Sequence, residues 1–148
     1  MKTISSFKGY YAFLSNFALC EVEFEGDRYS TIEHAFQATK TFNKEERALI
    51  REASTPVIAK QLGRKVTLRK DWEDVKVDIM YNLLKQKFSI PEFTEQLLAT
   101  GNAKLIEGNH WNDTFWGVCN GEGRNMLGEL LMQIREEIKE DLHNGNID

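Results

Sequence analysis

Glu33, Gln37 and Lys40 are the residues whose types and spacing first suggest a reaction. They lie in the stretch YSTIEHAFQATK, residues 29–40, where Ser30 or Thr31 can cap a helix and Ile32, Ala35 and Phe36 fall at the spacing of a buried face. Seven helical residues return to within about 20° of the starting direction, roughly 10.5 Å further along the axis. Glu33 and Lys40 then share one stripe with Gln37 between them, and the lysine leans back toward the carboxylate. With stacking aromatics, that pair suits cleavage of a C–N bond at the anomeric carbon of a sugar, where a carboxylate stabilises the positive charge that develops on the ribose. The amine adds a second route. An N-ribosylamine can open to an imine, and a lysine with a lowered pKa can exchange into it as a Schiff base. Two plainer roles stand beside these: Glu33 as the reciprocal arm of a Ser30-x-x-Glu33 capping box, and Lys40 as a solvated last-turn cation.

The segment EGNHWNDTFWGVCNGEGRN, residues 107–125, is the second stretch with chemical content. Its Asp113, Trp116 and Gly117 offer a carboxylate, an aromatic face and a close backbone approach on one loop. An omega-like loop packed by its own tryptophans fits the same residues. Near the N-terminus, Phe13-Leu-Ser-Asn-Phe17 closes an aromatic run that can plug a core, or form a stacking wall with Ser15 and Asn16 as polar groups.

The elements that must position these groups read as mostly helical. Cys20, Val22 and Phe24 alternate with glutamates as a half-exposed strand, Gly26-Asp27 turns the chain, and Arg28-Tyr29 returns it. After the first helix, Asn43 with Glu46 opens a second to about Glu52, and Thr55-Pro56 opens a third that Gly63 ends. Asp71 caps a fourth from Trp72 to about Phe88. Ser89 with Glu92 opens a fifth that ends at Thr100-Gly101, Leu105-Ile106 suggests a short strand, and a final core helix runs from about Asn125 to Leu142. The fold class is α+β, predominantly helical, with about six helices and a small antiparallel β element near the N-terminus. With no repeat or linker, residues 1–148 read as a single domain.

Composition excludes several classes. A formal net charge of −4 argues against a general nucleic-acid surface, though not against gripping one nucleotide. The basic run RKVTLRK, residues 64–70, is a solvated loop or a phosphate contact. Dinucleotide and P-loop glycine patterns are absent, and the histidines have no partners at zinc spacing, so neither a metal nor a cofactor is expected. The two cysteines, Cys20 and Cys119, are far apart and read as ordinary thiols in a reducing compartment. With neither a signal-peptide h-region nor a long apolar run, a cytoplasmic protein without membrane attachment is expected.

The chain resembles the YbiA-like, or NADAR (NAD- and ADP-ribose-associated), family. The resemblance rests on Phe13-Leu-Ser-Asn-Phe17; Thr31-Ile-Glu-His34 with Gln37 and Lys40; Arg69-x-x-Trp72 with Lys76 and Met80; Leu97-Leu98-x-Thr100-Gly101; Leu105-Ile-Glu107; Asp113-x-Phe-Trp-Gly117; and Asn125-x-Leu-Gly128 with Leu131-Met132 and Arg135. It implies N-glycosidase activity on a small ribosyl-nucleotide, such as a ribosylamino-pyrimidine phosphate of riboflavin synthesis, or on ADP-ribosylated guanine, which makes nucleic acid a possible substrate. No obligate protein partner is implied. Carried over by position, it puts Glu33, Lys40, Trp72 and Asp113 in the pocket. Glu33 and Asp113 would stabilise charge and transfer protons, and Lys40 would capture the sugar. Trp72 and Trp116 would stack, while Asn16, Glu107, Gly117 and Asn125 would contact the ligand. His110-Trp111 and Val118-Cys119 depart from the family's pattern, which bears on the base pocket and so on the substrate. The same pocket also suits a non-catalytic ADP-ribose or NAD-related binding module.

Overall fold

The structure, a computed structural model, describes residues 2–145. It contains six α-helices and one 3-10 helix among the described residues, with two small two-stranded sheets, and is α+β and predominantly helical as the sequence indicates. Its contacts group into two compact units: residues 16–87, and residues 1–15 with 88–148.

In the unit of residues 16–87, β1 of a hairpin (Val22–Phe24) pairs antiparallel with β2 (Asp27–Tyr29). The turn is Glu25-Gly26, one residue earlier than the sequence suggests, with φ of 49° and 89°. Two positive φ values make the turn that matches strand twist, and glycine takes the second without strain. Arg47 and Arg51 fasten the hairpin to α2 through ion pairs to Glu25 at 2.8 Å and Asp27 at 3.1 Å.

Helix α1 (Ile32–Ala38) is buried along its whole length and packs against α2 (Lys44–Arg51), α3 (Pro56–Gly63) and α4 (Trp72–Lys87). Its cap is Thr31, whose hydroxyl accepts from His34 N–H at 3.0 Å, so the Ser30-based capping box does not form. His34 locks that end. Its Nε2 faces the carbonyl of Ala53 at 3.0 Å, and because a carbonyl only accepts, Nε2 carries the proton and Nδ1 accepts from Thr31 Oγ1 at 2.8 Å. Asn43 and Thr55 cap α2 and α3 as expected. Glu46, however, does not reach back to Asn43; it accepts from Thr41 Oγ1 at 2.7 Å and from Thr67 N–H. At the start of α4, Asp71 is held by Arg69 Nε at 2.7 Å and Nη2 at 3.0 Å, which keeps its carboxyl below the usual range.

The other unit opens with β3 (Thr3–Ile4), which pairs parallel with β4 (Lys104–Leu105), and a 3-10 helix (Gly9–Leu14) where the sequence shows no period. The strand reads one residue earlier than Leu105-Ile106, although Ile106 N–H still donates to Ile4 at 2.8 Å. Helix α5 (Pro91–Ala99) starts after Ile90 rather than at Ser89, with no side-chain cap. Helix α6 (Met126–His143) buries Leu127, Leu130, Leu131, Ile134 and Ile138, the stripe read from the sequence. Arg135, also buried, ties α6 to the end of α5 by donating to Thr100 Oγ1 and the Ala103 carbonyl, each at 2.8 Å.

Lys87, at the end of α4, is fully buried, and burial pushes its pKa from 10.5 down to about 8, with Cys20 opposing the shift. The unfolded chain therefore binds more protons above pH 8, and stability rises with pH there. Burial raises the Cys20 thiol above its ordinary 9.0, so its contribution has the opposite slope and begins only near that pH. Between pH 8 and 9 the protein is expected to gain about 1 kcal/mol from Lys87. Urea unfolding of wild type and Lys87→Met at both pH values checks this: an unchanged slope in the variant would refute it.

Candidate active site

The candidate residues divide between the two units. In the first, Glu33 is buried as the second residue of α1. Its N–H donates to the Asn16 carbonyl at 3.1 Å, and its Oε2 accepts from Gln37 Nε2 at 2.7 Å, one helical turn on. Thr31, not Ser30, caps the helix, so the carboxylate is not spent on a capping box. Helix α1 ends at Ala38, two residues before Lys40, and Lys40 N–H closes on the Gln37 carbonyl at 3.3 Å in a tightened last turn. The half-buried amine is nonetheless electrostatically coupled to Glu33. Burial is the main cause of its lowered pKa; Glu33 opposes the shift, and Arg64, Lys60 and Lys76 reinforce it.

Two buried carboxamide oxygens in this unit have no hydrogen-bond partner among the described residues: Gln37 Oε1 and Asn16 Oδ1. Asn16 Nδ2 points at Met80 Sδ, 3.6 Å away. Such acceptors are costly to bury unmatched and suit a ligand that brings donors. Trp72 is buried with its ring against Phe36, centroids 5.0 Å apart, so part of the indole surface belongs to the core.

In the second unit, Glu107, Asp113, Trp116, Gly117 and Asn125 lie on one ordered segment. Asp113 Oδ1 accepts from the N–H groups of Phe115 at 3.2 Å and Trp116 at 2.9 Å, a turn-forming role. Trp116 meets Phe115 edge to face at 4.9 Å. Asn125 has φ 54° and ψ 40°; its amide accepts from Glu107 N–H and donates to Leu105, both at 2.9 Å. The carbonyls of Phe115, Trp116 and Gly117 receive the N–H groups of Met126, Leu127 and Asn125 respectively, so the loop satisfies the start of α6 in place of a side-chain cap. A Cβ at Gly117 would overlap Glu107, which explains the glycine.

A NADAR domain matches residues 5–139. N-glycosidase YbiA of Escherichia coli is 42% identical over 132 residues, covering 86% of this chain and 82% of that protein. The chain belongs to the NADAR family. A riboflavin biosynthesis protein of Vibrio vulnificus is 36% identical over 134 residues, covering 88% of this chain and 36% of that longer protein. The NMR structure of E. coli YbiA superposes with a TM-score of 0.82 at 38% identity, covering 95% of this chain and 88% of that one.

This NADAR chain also uses residues that sequence reasoning passed over. Asn109 is buried and organises the loop, donating to Glu107 Oε2 at 3.2 Å and the Asp113 carbonyl at 2.9 Å and accepting from Asp113 N–H at 3.1 Å. An asparagine inside a glycine-rich loop was the available signal. No group of three metal-ligating side chains occurs among the described residues, and no helix there is long and apolar enough to cross a membrane. A separate, largely apolar cavity of about 460 Å³ is lined by residues 41–43 and 67–71, none of which is a candidate site residue.

Gly63 does more than end α3. A Cβ there would overlap Oε1 of Gln37, the residue that holds Glu33. Alanine normally improves a helix, so the sign is diagnostic. Gly63→Ala is expected to cost about 1–3 kcal/mol in urea unfolding, because the buried amide must move. In a Gln37→Ala background most of that cost should vanish; equal losses in both backgrounds would refute the contact.

Proposed function

We propose that the chain is an N-glycosidase, a hydrolase that cuts the C–N bond between ribose and a base or amine. The observation that carries this reading is the buried Glu33 carboxylate, oriented by Gln37 and coupled to a lysine whose pKa is depressed. Family membership and the N-glycosidase name of the E. coli relative support it. The name of the Vibrio relative favours a ribosylamino-pyrimidine phosphate as substrate over ADP-ribosylated guanine.

In this reading the ribosylamine opens as its ring oxygen leaves C1′ and takes a proton, giving an imine to the amine nitrogen of the base. Unprotonated Lys40 Nζ adds to C1′ and loses a proton to the Glu33 carboxylate. Glu33 passes it to the departing nitrogen, which leaves with its bonding pair, so C1′ is doubly bonded to Nζ. Water then adds to C1′, Nζ leaves, and the sugar aldehyde and free lysine result. The acceptor oxygens of Asn16 and Gln37 would take donors from the sugar or base.

Glu33→Gln is expected to lower kcat about 10²–10⁴-fold on a 5-amino-6-ribosylamino-uracil phosphate, measured as free base released. Release of base by neither variant nor parent, from that substrate or from ADP-ribosylated guanosine, would end the enzyme reading. Because the attacking amine is the deprotonated form, the rate should rise as pH climbs through the lowered Lys40 pKa. Borohydride added during turnover should fix the sugar on Lys40 in a mass spectrum, and Lys40→Arg should abolish both turnover and the adduct; unmodified protein from an active enzyme would rule out the covalent step.

A further inference from the structure

Lys40 stands just beyond the helix that carries Glu33, and its own turn holds it loosely. Its N–H reaches the Gln37 carbonyl at 3.3 Å, and the next N–H, of Thr41, reaches the Ala38 carbonyl at 3.4 Å. The Lys40 amine makes no hydrogen bond among the described residues, so its place is decided by the main chain that bears it. Where a helix stops, its last carbonyls lose their intrahelical partners. Arg69 supplies new ones. Its main-chain N–H donates to the Lys40 carbonyl at 2.8 Å and its Nη1 to the Thr39 carbonyl at 3.3 Å. The guanidinium is itself held on its other sides: Nε and Nη2 donate to the two oxygens of Asp71 at 2.7 and 3.0 Å, and its carbon lies 4.2 Å from the centre of the Phe42 ring. Only 11% of the side chain is exposed. Arg47 Nε donates to the Thr41 carbonyl at 2.6 Å, so the carbonyls of three successive residues, 39–41, are each taken by an arginine.

We propose that Arg69 is a positioning residue, whose guanidinium, oriented by Asp71 and lying over Phe42, holds the Thr39–Lys40 peptide so that the Lys40 amine stays within reach of the sugar carbon it attacks. The proposal rests on the N-glycosidase reading for what the amine does, and on the hydrogen bonds alone for the hold. A reacting group displaced by about 1 Å can lose about 10²-fold in rate. Lysine cannot replace arginine here, because one ammonium cannot bond Asp71 with two N–H groups in a plane, reach Thr39 with a third and cover a ring. The main-chain N–H of residue 69 survives every substitution except proline, so the loss is graded rather than complete.

Kinetics and lysine titration together test the hold. Arg69→Lys is expected to lower kcat about tenfold on a 5-amino-6-ribosylamino-uracil phosphate while KM stays as in wild type. The second readout needs no turnover. Burial is the main cause of the lowered Lys40 pKa, with Glu33 opposing it and Arg64, Lys60 and Lys76 reinforcing it. A released Lys40 turns toward water, so its pKa should rise toward 10.5 in lysine side-chain NMR of Arg69→Lys, carrying the rising limb of the pH–rate profile to higher pH. Fully buried Lys87 should keep its pKa of about 8 and so reports an intact fold. A Lys40 titration and a kcat unchanged from wild type, or a rise at Lys87 equal to that at Lys40, overturns the proposal. Should Arg69→Lys unfold, Asp71→Asn at its more exposed position carries the same comparison, through a guanidinium held by one bond instead of two. A shifted Lys40 titration in a chain whose wild type releases no base would leave the hold standing and defeat the glycosidase reading.

Discussion

Keeping the carboxyl group of Glu33 out of water is the constraint on which the unit of residues 16–87 is built. Desolvating an ion costs several kcal/mol unless charge and hydrogen bonds compensate it. Here the compensation is local. Gln37 supplies an N–H at 2.7 Å and Lys40 supplies opposite charge. Each of these depends on something further out: Gln37 needs the missing side chain of Gly63, and the start of α1 needs the Thr31 hydroxyl and both nitrogens of His34. His34 is thereby committed to the fold.

Much of this was legible in the sequence, and the failures have physical causes. Asn43 and Thr55 were readable as caps because capping is a local interaction between a side chain and the N–H three residues on. Ser30 and Ser89 looked equally good and do not cap, since the chain's entry direction decides which residue takes extended angles, and that is set by packing. Helix α1 turns no face to solvent: Ile32 through Ala38 are all buried, so the spacing of Ile32, Ala35 and Phe36 finds the helix but not the burial of Glu33, His34 and Gln37. The strands Thr3–Ile4 and Lys104–Leu105 are too short for alternation, and each exists only because its parallel partner lies about a hundred residues away. Gly63 read as a stop signal; its closeness to Gln37 is a tertiary fact that no window around it contains.

The segment from Glu107 to Asn125 shows a second way to make a long loop rigid. It carries almost no ladder, only two isolated bridges, yet Asn109, Asp113 and Asn125 satisfy its backbone one group at a time. Composition alone marked the loop as unusual and named Asp113, and the family resemblance added Asn125. Neither could tell that much of their hydrogen-bonding capacity goes into shaping the loop itself. In a NADAR domain this means that a substitution at either position acts on loop geometry as well as on any ligand contact.

The hairpin of residues 22–29 has one more feature of note. Gln86 of α4 offers its amide to Glu23 as a strand would, its Oε1 accepting from Glu23 N–H at 2.8 Å and its Nε2 donating to the Glu23 carbonyl at 2.7 Å. A two-stranded ribbon with a bare margin is an invitation for intermolecular strand addition and aggregation. A single glutamine side chain occupies the bonding positions that a chain arriving at Glu23 would need, so that margin of the ribbon is closed to recruitment without a third strand having to be encoded there.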